Sequence, residues 1–430
     1  MPSRRAVLAA GGLALASGLA GCNTASAPPD STFDDPTTAW PTAGYDPAGT
    51  GNPPAGPAEP TVAWRRSRES LDPNLYGRLS TPVVADETLY AAGLTTRIFD
   101  PEDMTSVLAA FDTATGDLRW QQDVPTGLTG GPALVGDPPT VVVGGRDGTL
   151  HAFDADGTRA WTVDLSGRLD TPTAYGDRVY VASGTGRLHA VDADGTRAWT
   201  ADRPGLFAGL FGSDEPVETA LPVADDRGVY AAFTPFDRER DETVLLAYGH
   251  DGNRRWRTTL PGRYGRAPGG LAVTENALYV TVGGTVYAVA PEDGTQRWQF
   301  VTGADTAGPP TTDGERVYVG AKNLYALDAA DGTEQWRVVN EAPADDDDVR
   351  DPQQLPYLAR PPVADGQVYL RAGAFDIADG SRRWGDDADA WLTEGNYFTD
   401  YYYRRPMARP VVTSEAVVLT HPHHGVMTFR

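Results

Sequence analysis

Seven times in this chain a glycine precedes a tryptophan by four residues, in the frame Asp-Gly-Thr-x-x-Trp or a close variant, just after a short apolar run. The copies read FDTATGDLRW ending at Trp120, FDADGTRAW at Trp161, VDADGTRAW at Trp199, YGHDGNRRW at Trp256, VAPEDGTQRW at Trp298, LDAADGTEQW at Trp336 and FDIADGSRRW at Trp384. Successive tryptophans stand 38 to 57 residues apart. That spacing belongs to a four-stranded propeller blade rather than to a helical solenoid.

Each Gly-Trp pair follows a matching prelude, clearest in TPTAYGDRVYVASGTGRLHAVDADGTRAW from Thr171 to Trp199. It parses into the strands TPTAY, RVYVAS, RLHAVDA and TRAWTA, with glycine and aspartate at the three reversals. A proline opens most first strands (Pro82, Pro132, Pro172, Pro222, Pro310, Pro362, Pro410), while blade 5 has Gly269-Gly270 instead. Proline suits an innermost edge strand, where a backbone N–H faces the channel without a partner.

Counting preludes gives eight, because Arg409 to Phe429 opens a further blade and the chain stops without its Gly-Trp strand. PTVAWRRS around Trp64 has the tryptophan strand and no prelude, so it is expected to complete the C-terminal blade and close the ring with strands from both ends. Closure hides the last sheet edges. The expectation is an all-β fold, one eight-bladed β-propeller over residues 62–430 at about 46 residues per blade, and a monomer.

The tryptophans at 64, 120, 161, 199, 256, 298, 336 and 384 read as structural: a large ring buried against the next blade, its indole N–H on a backbone carbonyl. The Asp-x-Asp-Gly turns, such as Asp154 with Asp156 and Asp192 with Asp194, lack the third spaced carboxylate and distal glutamate of a calcium loop. Their expected role is Asx-turn chemistry.

At the N-terminus, Ser3-Arg4-Arg5 followed by the apolar run from Ala6 to Ala20 is a charged region ahead of a hydrophobic stretch too short to span a bilayer as a helix. The arginine pair Arg4-Arg5 resembles a twin-arginine export signal, the route for proteins exported already folded. Leu19-Ala20-Gly21-Cys22 resembles a lipoprotein lipobox. The resemblance implies removal of residues 1–21, lipidation of Cys22, and a protein held at the outer face of the cytoplasmic membrane. Cys22 is the only cysteine, so an intramolecular disulfide is excluded. Residues 22–61 are rich in Pro, Gly, Ala, Ser and Thr and read as a tether, except that TAWPTAGYDPAGTG, with Trp40 and Tyr45, is apolar enough to pack on the ring.

The net charge is −23, falling to −25 when Arg4 and Arg5 leave with the signal, and Lys322 is the single lysine. An acidic, lysine-poor surface resembles the proteins of halophiles, haloarchaea in particular, and speaks against nucleic acid as a partner. There is no phosphate-cradling P-loop, His-Glu-x-x-His or Gly-x-Ser-x-Gly.

The Ala-x-Asp-x-x-Asp/Thr-Gly-x-x-x-Trp signature, nearly intact at Ala110 to Trp120, Ala190 to Trp199 and Ala326 to Trp336, resembles the repeat of pyrroloquinoline-quinone (PQQ) dehydrogenases. The same repeat occurs in non-catalytic relatives, among them the lipid-anchored propeller of the bacterial outer-membrane assembly machinery. The enzyme pattern calls for an adjacent cysteine pair against the quinone, a Glu-Asn-Asp set holding calcium, and an aspartate base. The cysteine pair cannot exist here, and no segment matches the calcium set or the base, so no catalytic residue is assigned. The resemblance therefore implies a binding or scaffold module with no cofactor expected. PQQ with calcium belongs to the alternative, a quinoprotein dehydrogenase.

In such a blade the turns from first to second and third to fourth strands share one face. The long excursions (Ala92 to Val107, Ala201 to Thr219, Phe233 to Thr243, Val338 to Ala359, Gly385 to Ala408) all fall on the other. The last contains Trp391, Tyr397, Phe398, Tyr401, Tyr402, Tyr403, Arg404 and Arg405, residue types favoured at interface hot spots, and is the expected site for a protein or extracellular ligand. The alternative is that these residues lid the channel. Asp345 to Asp348 reads as a solvated loop. His421, His423 and His424 are a weak metal candidate, with Asp400 or Glu394 as oxygen ligands, against a polar surface turn.

Overall fold

A computed structural model describes residues 38–67, 79–95, 104–128, 130–201, 217–235, 242–261, 268–339, 360–370, 373–385, 410–421 and 425–430. The secondary structure of these residues is β, arranged in eight antiparallel sheets. Blades 1 to 7 occupy residues 83–124, 133–164, 173–201, 217–261, 268–301, 311–338 and 363–384. Blade 3 runs through Thr173–Tyr175, Arg178–Ala182, Leu188–Asp192 and Arg197–Ala201, within two residues of the strands expected from its turn signals.

Blade 8 is assembled from both ends of the chain. Val411–Val412, Val417–His421 and Gly425–Phe429 supply three strands, and Val62–Arg66 pairs antiparallel onto the last, with Trp64 opposite Thr428. Thr61 and Arg430 exchange both backbone hydrogen bonds, at 2.8 Å each. Hydrogen bonds thus seal the seam where every other blade has a covalent turn.

The apolar cores lie between blades. Leu134, Val141 and Phe153 of blade 2 pack with Tyr90, Leu108 and Ala110 of blade 1, and the pattern continues round the ring. Blade 8 shares one cluster with both neighbours, joining Tyr369 of blade 7 to Val418 and Met427 and on to Phe111 of blade 1. Blade 4 departs from the repeat: its first strand is split into Val217–Thr219 and Val223–Asp225, both paired to Gly228–Pro235. Leu221-Pro222 stands in the break, where proline withholds the donor a continuous strand would need.

Third and fourth strands share one irregularity. In seven blades a bulge follows an alanine paired to the tryptophan, as at Ala152 opposite Trp161 and Ala190 opposite Trp199. Alanine leaves room for the indole across the pair, and the bulge re-aims it at the next blade.

Candidate functional site

The sequence repeats Gly and Trp together, but the two residues of one copy do not meet. Each indole is received by the following blade. Trp161 of blade 2 donates its Nε1–H to the carbonyl of Ala193 in the blade 3 turn at 2.8 Å, and Gly195 of that turn lies against the indole face. A Cβ on Gly195 would sit 2.8 Å from Trp161 Cγ, and its φ of +86° disfavours a side chain regardless of space. The socket recurs for Trp64 on Thr113, Trp120 on Ala155, Trp199 on His250, Trp256 on Pro291, Trp298 on Ala329 and Trp336 on Ile377, at 2.7 to 3.1 Å. The glycine is therefore selected twice, for turn conformation and for contact with the preceding blade.

The Asp of the same turn organises the backbone. Asp156, Asp194, Asp293 and Asp331 each accept the N–H two residues on at 2.8 to 2.9 Å. These bonds favour the ionised form and hold the four carboxyls below the usual range. Asp112 is lowered to about 2, chiefly by the Arg119 guanidinium and then by the Thr115 N–H. Among the described residues no three His, Cys, Asp or Glu side chains are grouped to hold a metal ion.

The channel is where the ring is least repetitive. The apolar lead-in segment enters it and circles the inner strands in blade order. Val84 of blade 1 donates to Trp40 O at 2.9 Å, Leu134 of blade 2 to Pro41 O at 2.9 Å, and Ala224 of blade 4 to Pro47 O at 2.7 Å. Val273 of blade 5 then donates to Ala48 O at 2.8 Å, Thr312 of blade 6 to Thr50 O at 2.9 Å and Val363 of blade 7 to Gly51 O at 2.9 Å. Between Pro41 and Pro47 the segment makes a turn of its own, Tyr45 N to Thr42 O at 3.0 Å. The inner edge that proline seemed to leave open is thus capped by residues 40–51, as the accounting for buried backbone donors requires.

Two charges sit in this plug. Arg360, 4 % exposed, donates from Nη1 to Gly49 O and to Pro310 O at 2.7 Å, and from Nη2 to Leu271 O at 3.0 Å, tying the segment to blades 5 and 6. Asp46 accepts from Thr50 N at 2.8 Å and Thr50 Oγ1 at 2.5 Å. The protein surrounding Asp46 desolvates it and raises its pKa, against the opposing pull of Thr50 and Arg360. Burial, with Asp46 nearby, pushes the Tyr45 hydroxyl up to about 12. Trp40 is 1 % exposed, its ring 5.2 Å from Tyr45. Gly49 and Gly51 have φ of +67° and +64°, and a Cβ on Gly49 would lie 2.7 Å from Val223 Cγ1 and 2.8 Å from Leu271 O.

Sequence reading picked out this segment as packing on the ring but missed its path and missed Arg360. A signal was available: two residues before the first-strand proline stand Ser80, Gly130, Asp170, Ala220 and Gly308, and Arg360 is the cation in that series.

The face of the tight turns is described throughout, and its turns are cross-linked: Thr113 N to Glu87 O, Ala193 N to Asp177 O and Ala329 N to Glu315 O, at 2.8 to 3.0 Å. The described strand ends that flank the five long excursions lie at the other face. Arg4, Arg5, Cys22, Asp345 to Asp348, and the run Trp391, Tyr397, Phe398, Tyr401, Tyr402, Tyr403, Arg404 and Arg405 lie outside the described residues. His421 ends the second strand of blade 8 and pairs with Gly425; His423 and His424 lie outside the described residues.

No curated protein matches the chain. Among solved structures it is similar to the quinohemoprotein alcohol dehydrogenase from Comamonas testosteroni, at 14 % identity and TM-score 0.63, covering 92 % of this chain and 81 % of that one. It is also similar to BamB from Moraxella catarrhalis, at 18 % identity and TM-score 0.54, covering 86 % and 97 %. The computationally designed Ika8 protein matches at 13 % identity and TM-score 0.55, covering 82 % and 96 %. These likenesses establish the fold, which an oxidoreductase, an assembly factor and a design share. Residues 104–239 and 240–428 match the family described as outer membrane protein assembly factor BamB, and the eight-bladed chain belongs to that family of PQQ-like propellers.

Proposed function

We propose that this protein is a lipid-anchored, extracytoplasmic propeller that binds or scaffolds another protein or an extracellular ligand through its elaborated face, without catalysis of its own. Export by the twin-arginine route and lipidation at Cys22 put it on the outer face of the cytoplasmic membrane. The carrying observation is the plug. Residues 40–51 take up the inner-strand donors of six blades, and Arg360 spends its guanidinium on carbonyls of the plug and of blades 5 and 6. Among the described residues this filling makes the channel a structural core, which favours a binding role at the surface over a pocket with convergent polar groups. Function is left to the surface, and to the loops that depart from the repeat.

The dehydrogenase reading draws on the family repeat, but the residues present do not fit the quinone. One cysteine in 430 residues cannot form the adjacent pair. Among the described residues no acidic cluster could hold calcium.

The test is to express residues 22–430 with Cys22 replaced, at high salt, and to add PQQ with calcium while following tryptophan fluorescence and dye reduction. The expectation is neither saturable quenching nor turnover in a sample shown to be folded. Saturable quenching with dye reduction would overturn the non-catalytic reading.

A further inference from the structure

The path of the plug has a direction, and the direction orients the molecule. Trp40 pairs antiparallel with Val84, donating its N–H at 2.7 Å and accepting at 2.9 Å. The strand Val83–Ala85 runs toward the turn at Asp86-Glu87, so the lead-in segment runs the opposite way. It enters the channel from the tight-turn face. It leaves on the same face, where Gly56 N donates to Asp365 Oδ2 at 2.9 Å, Tyr369 Oη to Pro57 O at 2.8 Å, and Thr61 N to Arg430 O at 2.8 Å. Asp365 lies in the first-to-second turn of blade 7, and Arg430 follows a third strand that also runs toward that face. Thr38, the first described residue, therefore stands near the ring's axis on the tight-turn side.

We infer that the tight-turn face is turned toward the membrane and that the opposite face of the ring is turned away from it. The inference rests on the lipid-anchor reading of Cys22. Fifteen residues lie between Cys22 and Thr38, sixteen residue steps with a contour of roughly 55 Å at most. With the tight-turn face toward the bilayer the tether needs none of that length to go round the protein. In the inverted pose it must run from the axis over the rim and along a blade. The radial leg is three inter-strand spacings of about 4.8 Å plus side chains, and the axial leg is five to eight residues at about 3.3 Å, roughly 40 Å together. Inversion demands an end-to-end span close to the full contour, which is the entropically costly arrangement for any connecting chain. Lipid attraction does not set this pose, since the turn face exposes the ionised carboxylates Asp156, Asp194, Asp293 and Asp331. The tether does.

The test uses the full-length, lipidated protein, in which a thioether at Cys22 leaves no free thiol. Thr333→Cys places a thiol in an exposed tight turn of blade 6; Val301→Cys places one at the far end of the outer strand of blade 5, where the native side chain is 63 % exposed. Each variant is labelled with a thiol-reactive fluorophore and reconstituted in vesicles carrying a headgroup nitroxide. The expected result is quenching at position 333 several-fold stronger than at position 301. Equal quenching, or the reverse order, in protein that floats with the vesicles overturns the orientation and leaves the anchor reading standing. A free thiol in the unsubstituted protein together with failure to float overturns the anchor reading itself, and the orientation with it.

Discussion

The indole of Trp384 lies 6.2 Å from the ring of Phe429, tilted by 48°, and its N–H finds no acceptor among the described residues. The seven other blade tryptophans donate to a carbonyl in the next blade's third-to-fourth turn. Blade 8 has no such turn, because its third strand ends the chain and its fourth begins near Thr61. The socket is lost where the ring is sealed by hydrogen bonds alone.

Removing the indole N–H should therefore matter less at position 384 than elsewhere. Trp161→Phe loses a hydrogen bond to Ala193 O and leaves that carbonyl without its donor, a difference of about 1 kcal/mol. Trp384→Phe loses no such bond. Urea midpoints at high salt should fall further for Trp161→Phe; equal losses would show that the bond contributes nothing.

Gly195→Ala should destabilise more than a turn glycine normally does. The methyl group meets Trp161 as well as an unfavourable φ, and the two effects together amount to roughly 2–4 kcal/mol. Gly314, with φ of +92° and nothing within 4 Å of where a Cβ would stand, is the control that carries the conformational effect alone. A thermal melt in which Gly195→Ala and Gly314→Ala shift equally would remove the inter-blade contact from the account.

Loosening the plug should loosen the ring. Arg360→Met keeps much of the length and removes the donors to Gly49, Pro310 and Leu271, leaving buried carbonyls unpaired at about 1–3 kcal/mol each. Gly49→Ala attacks the same place sterically. Both should increase proteolysis within residues 38–61 before the blades are cut, read by mass spectrometry of limited digests. Uniform cleavage throughout would mean the plug and ring are not separately held.

Acid should weaken the blades that bury a histidine, blades 2 and 3 among them. His189, 1 % exposed, has its pKa lowered to about 4 by burial and by Arg187 and Arg197; it donates to or accepts from Thr200 Oγ1 at 3.0 Å. His151, 3 % exposed, is lowered by burial and by Arg159, with Asp147 opposing, and neither ring nitrogen has a partner among the described residues. A histidine whose folded pKa lies below its unfolded value binds more protons when unfolded. Its contribution is therefore full above pH 6.5 and is lost as pH falls from 6.5 toward 4, by about 3 kcal/mol for His189. Asp46, raised in the fold, acts in the opposite sense. The stability of the unsubstituted protein should drop between pH 7 and 5, and the double variant His151→Leu, His189→Leu should flatten that slope.

Most of the architecture is local and was legible in the chain. Strand alternation, the turns at Asp194-Gly195 and their copies, and the tryptophan period give blades, because each blade is made of neighbours in sequence. Trp64 standing without a prelude gave the closure, since a repeat missing from one end must be completed from the other. What the sequence could not carry are relations between distant residues that no period encodes: Arg360 on Gly49 across 311 positions, and the order in which residues 40–51 visit the inner strands. A side chain's partner in the channel is fixed by where eight blades converge, and convergence exists only after closure. The same closure decided that Trp384 would have no socket and that the lead-in segment from Thr38 would enter by the tight-turn face.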